Sequence, residues 1–574
     1  MSNYYSSDRS TQLVVALLKA HNICNVIASP GTTNIALVGS MQYDPFFKIY
    51  SAADERSAAY MACGLSASTG SPVVITCTEA TASRNYLPAL TEAYYRKLPI
   101  LVITGHHGEE MIGHLSSQSI DRSSYPNDTV KLSVSVNRIY TPTDEWKNIV
   151  NINRAILELN HRGGGPVHIN LETGLAAGFN QKELPIVRTI SRIMPSGDFP
   201  DLPPGRIAIF IGSHRPFVES ELNAIDNFCE RNNAVVFCDN TSGYSGRFRI
   251  NSALITAQQQ YNSELLTMDL LIHLGEVSGD TYTTGKLRPK YVWRVSPDGE
   301  LRDTFKKLTN VFEMDEQTFF LHYQKGSKGS CSYLNACKEE YNSIYAQIPD
   351  IEFSNIWIAK SLFSKLPEKS VINFSIFNSL RSWNFFQMPI SIESCCNVGG
   401  FGIDGAISTI IGSSLGRAKT LHFLVVGDLA FFYDLNSLGN RHINNNLRIL
   451  LVNNGRGIEF RKLDHPGSKF GEDADLFFAA AGHYGNKSQN LVRHYSEDLG
   501  FIYMQASNKK EFEKCLETFV APQLLEKSVI FEVFTKTEDE IQALYSIRNI
   551  KRDAKILLKT KVKNAVNEIV NIVK

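Results

Sequence analysis

The chain has 574 residues, 43% hydrophobic and 20% charged, and its 58 Lys+Arg balance 58 Asp+Glu. That is the make-up of a soluble globular protein of about three or four domains, and nothing in it suggests the basic domain or stripe of a nucleic-acid binder. The longest apolar runs, such as "HFLVV" and "RILLV", fall far short of the roughly 20 residues that cross a bilayer.

The opening "MSNYYSSDRS" lacks the apolar core of a secretory signal. "STQLVVALLKAHNI" is apolar at helical spacing, with Ser10 or Thr11 as the expected N-cap. "CNVIASPG" reads as a short strand, and "SAAYMACGLSASTG" as a small-residue helix closed by Gly70. "PVVIT", "PILVITG" and "PVHINLE" are continuous apolar strands, the pattern of a sheet covered on both faces. The Pro/Gly-rich "RIMPSGDFPDLPPGR" reads as a linker ending near residue 205. Beyond it, "RIAIFIGSH", "NAVVFCDN" and "LLIHLGE" are strands separated by helical stretches. The last third repeats the alternation with "SVINFS", "LHFLVVGD", "LRILLVNNG" and "SVIFEVF". Three such units predict three doubly wound α/β domains with mainly parallel sheets, whose ligands sit beyond the carboxyl ends of the strands. The tail from residue 546 to 574 reads as a basic amphipathic helix. The ten cysteines include no CxxC pair, so reduced thiols of a cytoplasmic protein are expected rather than a disulfide framework or a zinc site.

The stretch "FLVVGDLAFFYDLN" places Asp428 just past an apolar strand, and Asn454, 26 residues later, stands in the same position after "LRILLV". Either alone also reads as an ordinary strand-end turn. If the two strands are neighbours, however, a carboxylate, an amide oxygen and a nearby carbonyl form an oxygen-only cup. Such a cup suits Mg²⁺, which leaves part of its octahedron to phosphates and water. The glycines around it let backbone approach a phosphate closely.

Gly427-Asp428 followed by Asn453-Asn454 resembles the diphosphate–Mg²⁺ motif of thiamine-diphosphate (ThDP) enzymes, with Leu429 where that motif usually has glycine. The resemblance implies that Asp428, Asn454 and the Arg456 carbonyl hold the metal, and that Gly402, Ile403, Gly427, Leu429 and Thr78 line the cofactor, Ile403 as the prop beneath it. "SAADERSAAYMACGLSASTG…" resembles the pyrimidine-binding domain, with Glu55 at the position that touches the aminopyrimidine. A carboxylate bonded to that ring favours the imino tautomer, which takes a proton from the thiazolium carbon; the thiazolium then serves as electron sink for decarboxylation of a 2-oxo acid. The implied domains are 1–185 (pyrimidine-binding), 205–345 (central) and 350–545 (diphosphate- and Mg-binding). A homodimer or homotetramer is implied, because the cofactor of such enzymes lies between subunits.

"NVGGFGIDGAISTIIGSSLG", "SPGTTN", "DERSAAY" and "FNSL" narrow the resemblance to the 2-succinyl-5-enolpyruvyl-6-hydroxy-3-cyclohexene-1-carboxylate (SEPHCHC) synthases of menaquinone biosynthesis. That family binds isochorismate and 2-oxoglutarate, both polyanions. Several of its arginines are replaced here: Thr33 and His107 stand for two, Val398 for a third, and Trp383 for a fourth with Arg381 only nearby. Gln118 matches a family glutamine. Losing one bidentate contact to a carboxylate costs on the order of 1.5–3 kcal/mol. The expectation is therefore a ThDP- and Mg²⁺-dependent decarboxylase or carboligase acting on a less anionic substrate and, for ligation, a second acceptor. Glu55, Gln118 and His107 are its catalytic candidates, with Thr32, Thr33, His106, Ser379, Arg381 and Val398 around the substrate. Genuine SEPHCHC synthase is the alternative, and a non-catalytic ThDP-binding protein the reading from another class.

Overall fold

The computed structural model describes residues 4–122, 124–173, 178–324, 329–462, 465–483 and 487–553. The expected helix over most of the 546–574 tail lies outside them. The chain divides into two compact units, one of residues 1–198 with 299–313 and one of residues 199–298 with 314–574.

The first unit is built on six parallel strands: β1 (Asn25–Ala28), β2 (Lys48–Ser51), β3 (Val73–Cys77), β4 (Ile100–His106), β5 (Leu132–Val136) and β6 (Val167–Glu172), in the order β2-β1-β3-β4-β6-β5. Successive side chains of a strand point to opposite faces. Val26, Val74, Leu101 and Ile103 thus face the helices α1 (Arg9–Ala20) and, further along the chain, Pro142–Glu158. Ile27, Val73, Ile75, Ile100 and Val102 face α2 (Glu55–Thr69) and α3 (Leu87–Tyr95). Each fully buried aliphatic side chain of this kind contributes about 1.5–3 kcal/mol. The sheet is covered on both faces, which is why its inner strands are apolar throughout.

The cap of α1 corrects the sequence reading. Asp8, not Ser10 or Thr11, is the N-cap: its Oδ2 accepts from the Thr11 N–H at 3.0 Å. Aspartate caps as well as serine does, and Ser10 instead donates to the Asn137 carbonyl. The cap at the other end of α2 is as expected, with Gly70 at φ 67°. Ser191–Ile193, which overlaps the start of the stretch read as a linker, pairs in parallel with Leu308–Phe312, and both strands belong to the first unit.

The second unit holds two sheets. One runs β9-β8-β7-β10-β11 through β7 (Ile207–Ile211), β8 (Val235–Cys238), β9 (Arg249–Asn251), β10 (Thr267–Leu274) and β11 (Arg288–Val295). The other runs β13-β12-β14-β15-β17-β16 through β12 (Val371–Phe374), β13 (Glu393–Cys396), β14 (His422–Gly427), β15 (Leu447–Asn453), β16 (Ile502–Ala506) and β17 (Val529–Phe534). All of these pairings are parallel, so one edge of each sheet gathers the carboxyl ends. Among the described residues no helix is long and apolar enough to cross a membrane, and all ten cysteines are unpaired thiols.

Candidate cofactor and active site

β14 and β15 are neighbours, with Gly427 opposite Val452. Asp428 and Asn454 therefore leave adjacent strands at the same edge. Asp428 opens a short helix, Asp428–Tyr433, and is 5% exposed. Burial pushes its carboxyl up to about 7, and the Glu532 carboxylate adds to the rise, while the backbone N–H groups of Leu429 and Gly455 oppose it. Among the described residues no cationic side chain pairs with it. A buried carboxylate without a counter-ion is costly, and here it shares a strand edge with the Asn454 amide oxygen. Asn454 Oδ1 accepts from the Arg456 N–H at 3.3 Å, and the Arg456 side chain is drawn away to Asp475 at 2.7 Å. The donor set is oxygen-only, as a hard divalent cation requires. Among the described residues no cluster of three or more His, Cys, Asp or Glu offers another metal site.

A cavity of about 450 Å³ opens over this edge. Ile403, Gly427, Asp428, Leu429, Asn454, Arg456 and Ser379 all line it. A Cβ at Gly427 would meet nothing within 4 Å, so a ligand can approach its backbone closely. Phe377, also in the wall, holds φ 66° and ψ −121°, an outlier for a bulky residue. The wall includes Glu459 as well. Arg381 does not line the cavity; its Nη1 donates to both Glu459 oxygens at 2.6 and 2.7 Å, and Lys462 bonds the same carboxylate at 2.6 Å. These cations hold the Glu459 carboxyl down to about 2 despite burial.

Gly402 and Val398 lie outside that wall. Val398 is buried beside Leu380 and Ile376, where all three would meet a Cβ built on Gly279. Trp383 is wholly buried, 5.4 Å from the Phe374 ring. Both side chains face the core of the unit.

In the first unit, candidate residues cluster at the ends of the adjacent strands β1, β3 and β4. Thr33 is buried and its hydroxyl is committed, 2.8 Å from Thr78 Oγ1 and 3.0 Å from the Gly105 carbonyl. Thr32 is exposed. His106 is 3% exposed; burial and the charge of Arg122 push it down to about 4, so it is neutral at pH 7. His107 is partly exposed, with Nε2 3.3 Å from Glu79 Oε1. Glu55 is the first residue of α2, half-buried, its Oε2 accepting from Asn85 Nδ2 at 3.1 Å. Gln118 is exposed, at φ 63°.

Several residues of these two regions escaped the sequence reading. Glu532 is 1% exposed and accepts from Asn453 Nδ2 at 2.7 Å and the Tyr503 hydroxyl at 2.8 Å. It is the lone acid in the apolar "SVIFEVF", a signal that was there to read. Glu79 stands just past an apolar strand, as Asp428 does, and Arg122 is buried within reach of its charge.

Parallel sheets with an oxygen-only cup and an open cavity at a strand edge suit a diphosphate cofactor and its metal. Residues 9–125 match the thiamine pyrophosphate enzyme N-terminal TPP binding domain. The chain is a thiamine-diphosphate-dependent enzyme, and that cofactor comes with a divalent metal such as Mg²⁺. Over 560 residues it is 32% identical to a 2-succinyl-5-enolpyruvyl-6-hydroxy-3-cyclohexene-1-carboxylate synthase of Bacteroides fragilis, covering 94% of this chain and 98% of that protein. The protein of that name from Bacteroides thetaiotaomicron is 32% identical over 563 residues, with the same coverage of both chains. That from Flavobacterium johnsoniae is 30% identical over 92% of this chain and 96% of its own. The chain belongs to the SEPHCHC synthase family.

Proposed function

We propose that the protein decarboxylates a 2-oxo acid and joins the remaining fragment to an acceptor, as a SEPHCHC synthase. The relatives just named favour this over the less anionic substrate expected from the missing arginines. The observation that carries the chemistry is the buried, cation-free Asp428 beside Asn454 at the mouth of the cavity. In this reading Asp428, Asn454 and the Arg456 carbonyl hold Mg²⁺, the Gly427–Leu429 turn receives the diphosphate, and Ile403 supports the cofactor ring. Bound there, the thiazolium supplies the electron sink for loss of CO₂. Glu55 holds or releases a proton at the aminopyrimidine. Gln118 and His107 orient the substrate, and His106, neutral at pH 7, bonds without exchanging charge. The two halves of the site come from two chains of a homodimer or larger assembly, in a cytoplasmic setting that suits unpaired thiols.

A second reading keeps the chemistry and changes the substrate. It is favoured by the commitments of Thr33 to Thr78 and Gly105, and of Arg381 to Glu459. The test is product formation from isochorismate and 2-oxoglutarate with ThDP and Mg²⁺, beside CO₂ release from a panel of other 2-oxo acids. Glu55→Gln should lower either rate by 10²–10⁴-fold, the usual weight of a proton-transfer group. Turnover of another acid but not of 2-oxoglutarate would replace the first reading with the second. Sedimentation of the holoprotein as a monomer would remove the shared site.

A further inference from the structure

The turn after β3 carries a carboxylate to which the proposed chemistry gives no task. Glu79 lies two residues beyond the strand and is 3% exposed. Ala80, next in the chain, holds φ 61° and ψ −134°, a region that residues with a side chain rarely enter and that concentrates at functional sites. The strained turn brings the acid against β4. Its Oε1 lies 3.3 Å from Nε2 of His107, an ion-pair contact rather than a well-formed hydrogen bond. Burial pushes the Glu79 carboxyl up, and the charges of His107 and Arg122 oppose that rise. Of the two adjacent histidines, His106 is sealed in and neutral. The His107 side chain is 31% exposed, tied at Nε2 and without a partner for Nδ1 among the described residues.

We propose that Glu79 is a positioning residue for His107: its carboxylate fixes the ring through Nε2 and leaves Nδ1 as the atom presented to a substrate proton. The proposal rests on the reading above, in which His107 faces the substrate. A buried carboxylate on one ring nitrogen sets an imidazole's tautomer and orientation and stabilises its cation. A proton taken at Nδ1 stays on the ring until it is returned, and Glu79 remains ionised throughout. The other charges around the pair are Arg122, with Arg84 behind it, His106, with Arg138 and Glu172 beside it, and Glu110, whose carboxylate lies against Gly108.

A fixed ring holds one tautomer, and ring-nitrogen NMR of the holoprotein labelled with ¹⁵N-histidine reads it. In the wild type the His107 signals should be those of a single form with its proton on Nε2. In Glu79→Gln they should shift towards a mixture of the two tautomers, with those of His106 unchanged. Unchanged His107 signals overturn the proposal whether or not any 2-oxo acid is turned over, so its failure is separate from failure of the functional reading. Where turnover is found, Glu79→Gln and His107→Gln should each lower kcat, with KM little changed. The double variant should be no slower than His107→Gln, because groups that act as a unit are not additive; multiplied losses overturn the proposal. Should Glu79→Gln fail to fold, Glu79→Asp keeps the charge and shortens its reach. It should also shift the His107 ring-nitrogen signals, and unchanged signals overturn the proposal.

Discussion

The metal-free protein should be stabilised by removing the charge at Asp428. Its carboxyl is raised from the usual 3.8 to about 7 by burial, and at 1.36 kcal/mol per unit the ceiling of the penalty is about 4 kcal/mol. The sign follows from the direction of the shift. The unfolded carboxyl ionises near pH 4, while the folded one stays protonated until about pH 7. Stability therefore falls across that window and stays reduced above it. Asp428→Asn mimics the protonated acid at every pH. Metal-free Asp428→Asn should thus gain on metal-free wild type by about 2–3 kcal/mol more at pH 8 than at pH 5. Urea unfolding followed by tryptophan fluorescence measures the difference. Adding Mg²⁺ and ThDP at 1,000 times their Kd should cancel that advantage, since a ligand at this excess stabilises only the protein that binds it, by about 4.1 kcal/mol. An Asp428→Asn protein no more stable than wild type at pH 8, or one with the same advantage at pH 5, would refute this account of the strand edge.

Two further perturbations follow from charges and backbone near the cavities. Arg381→Met leaves Glu459 with Lys462 alone and should cost about 1–2 kcal/mol in urea, below the range for an uncompensated buried charge because Lys462 still bonds the carboxylate. That deficit should hold above pH 5 and shrink as the pH falls towards 2, because Glu459, pushed down to about 2, loses its charge there. Ala80→Gly removes the positive-φ strain after β3 and should raise stability by about 1 kcal/mol, the strain relieved less the entropy glycine adds to the unfolded chain. A lower melting temperature would mean that the methyl group packs better than its backbone suggests.

The strands legible in the sequence share one property. Each of the eleven apolar runs became an interior strand: β1, β3, β4 and β6 in the first sheet, β7, β8 and β10 in the next, β12, β14, β15 and β17 in the last. The edge strands β2, β5, β13 and β16 were all missed. β2 is largely exposed and the others are only partly buried, so no face of them demands a continuous apolar run. β11 was hidden by Arg288, Lys290 and Arg294, of which Arg294 is buried and donates to the Gly275 carbonyl. The metal-type edge was legible for the complementary reason. An acid directly after a buried strand has nowhere to go but the strand edge, and a second polar residue in the same position on the next strand must stand beside it.

The substrate was harder to read because charge at a site depends on which donors are free, and residue type does not report that. Counting lost arginines treats each position as a donor waiting for a carboxylate. Here Arg381 is present but already grips Glu459 with one nitrogen between both oxygens. Arg122 is buried and spends a donor on the Gly105 carbonyl at 3.3 Å. Thr33, standing for an arginine, keeps its hydroxyl within the fold. A polyanionic substrate must then find its cations elsewhere or displace an internal carboxylate. Among the described residues Glu459 is placed to be displaced, since it lines the cavity and is bonded to Arg381, which does not. If 2-oxoglutarate is the donor, Glu459→Gln should therefore lower its KM, by freeing Arg381 and removing a like charge from the wall, and leave the KM of a 2-oxo acid with a single carboxylate nearly unchanged. Equal effects on both acids would show that this wall does not face the donor's second carboxylate.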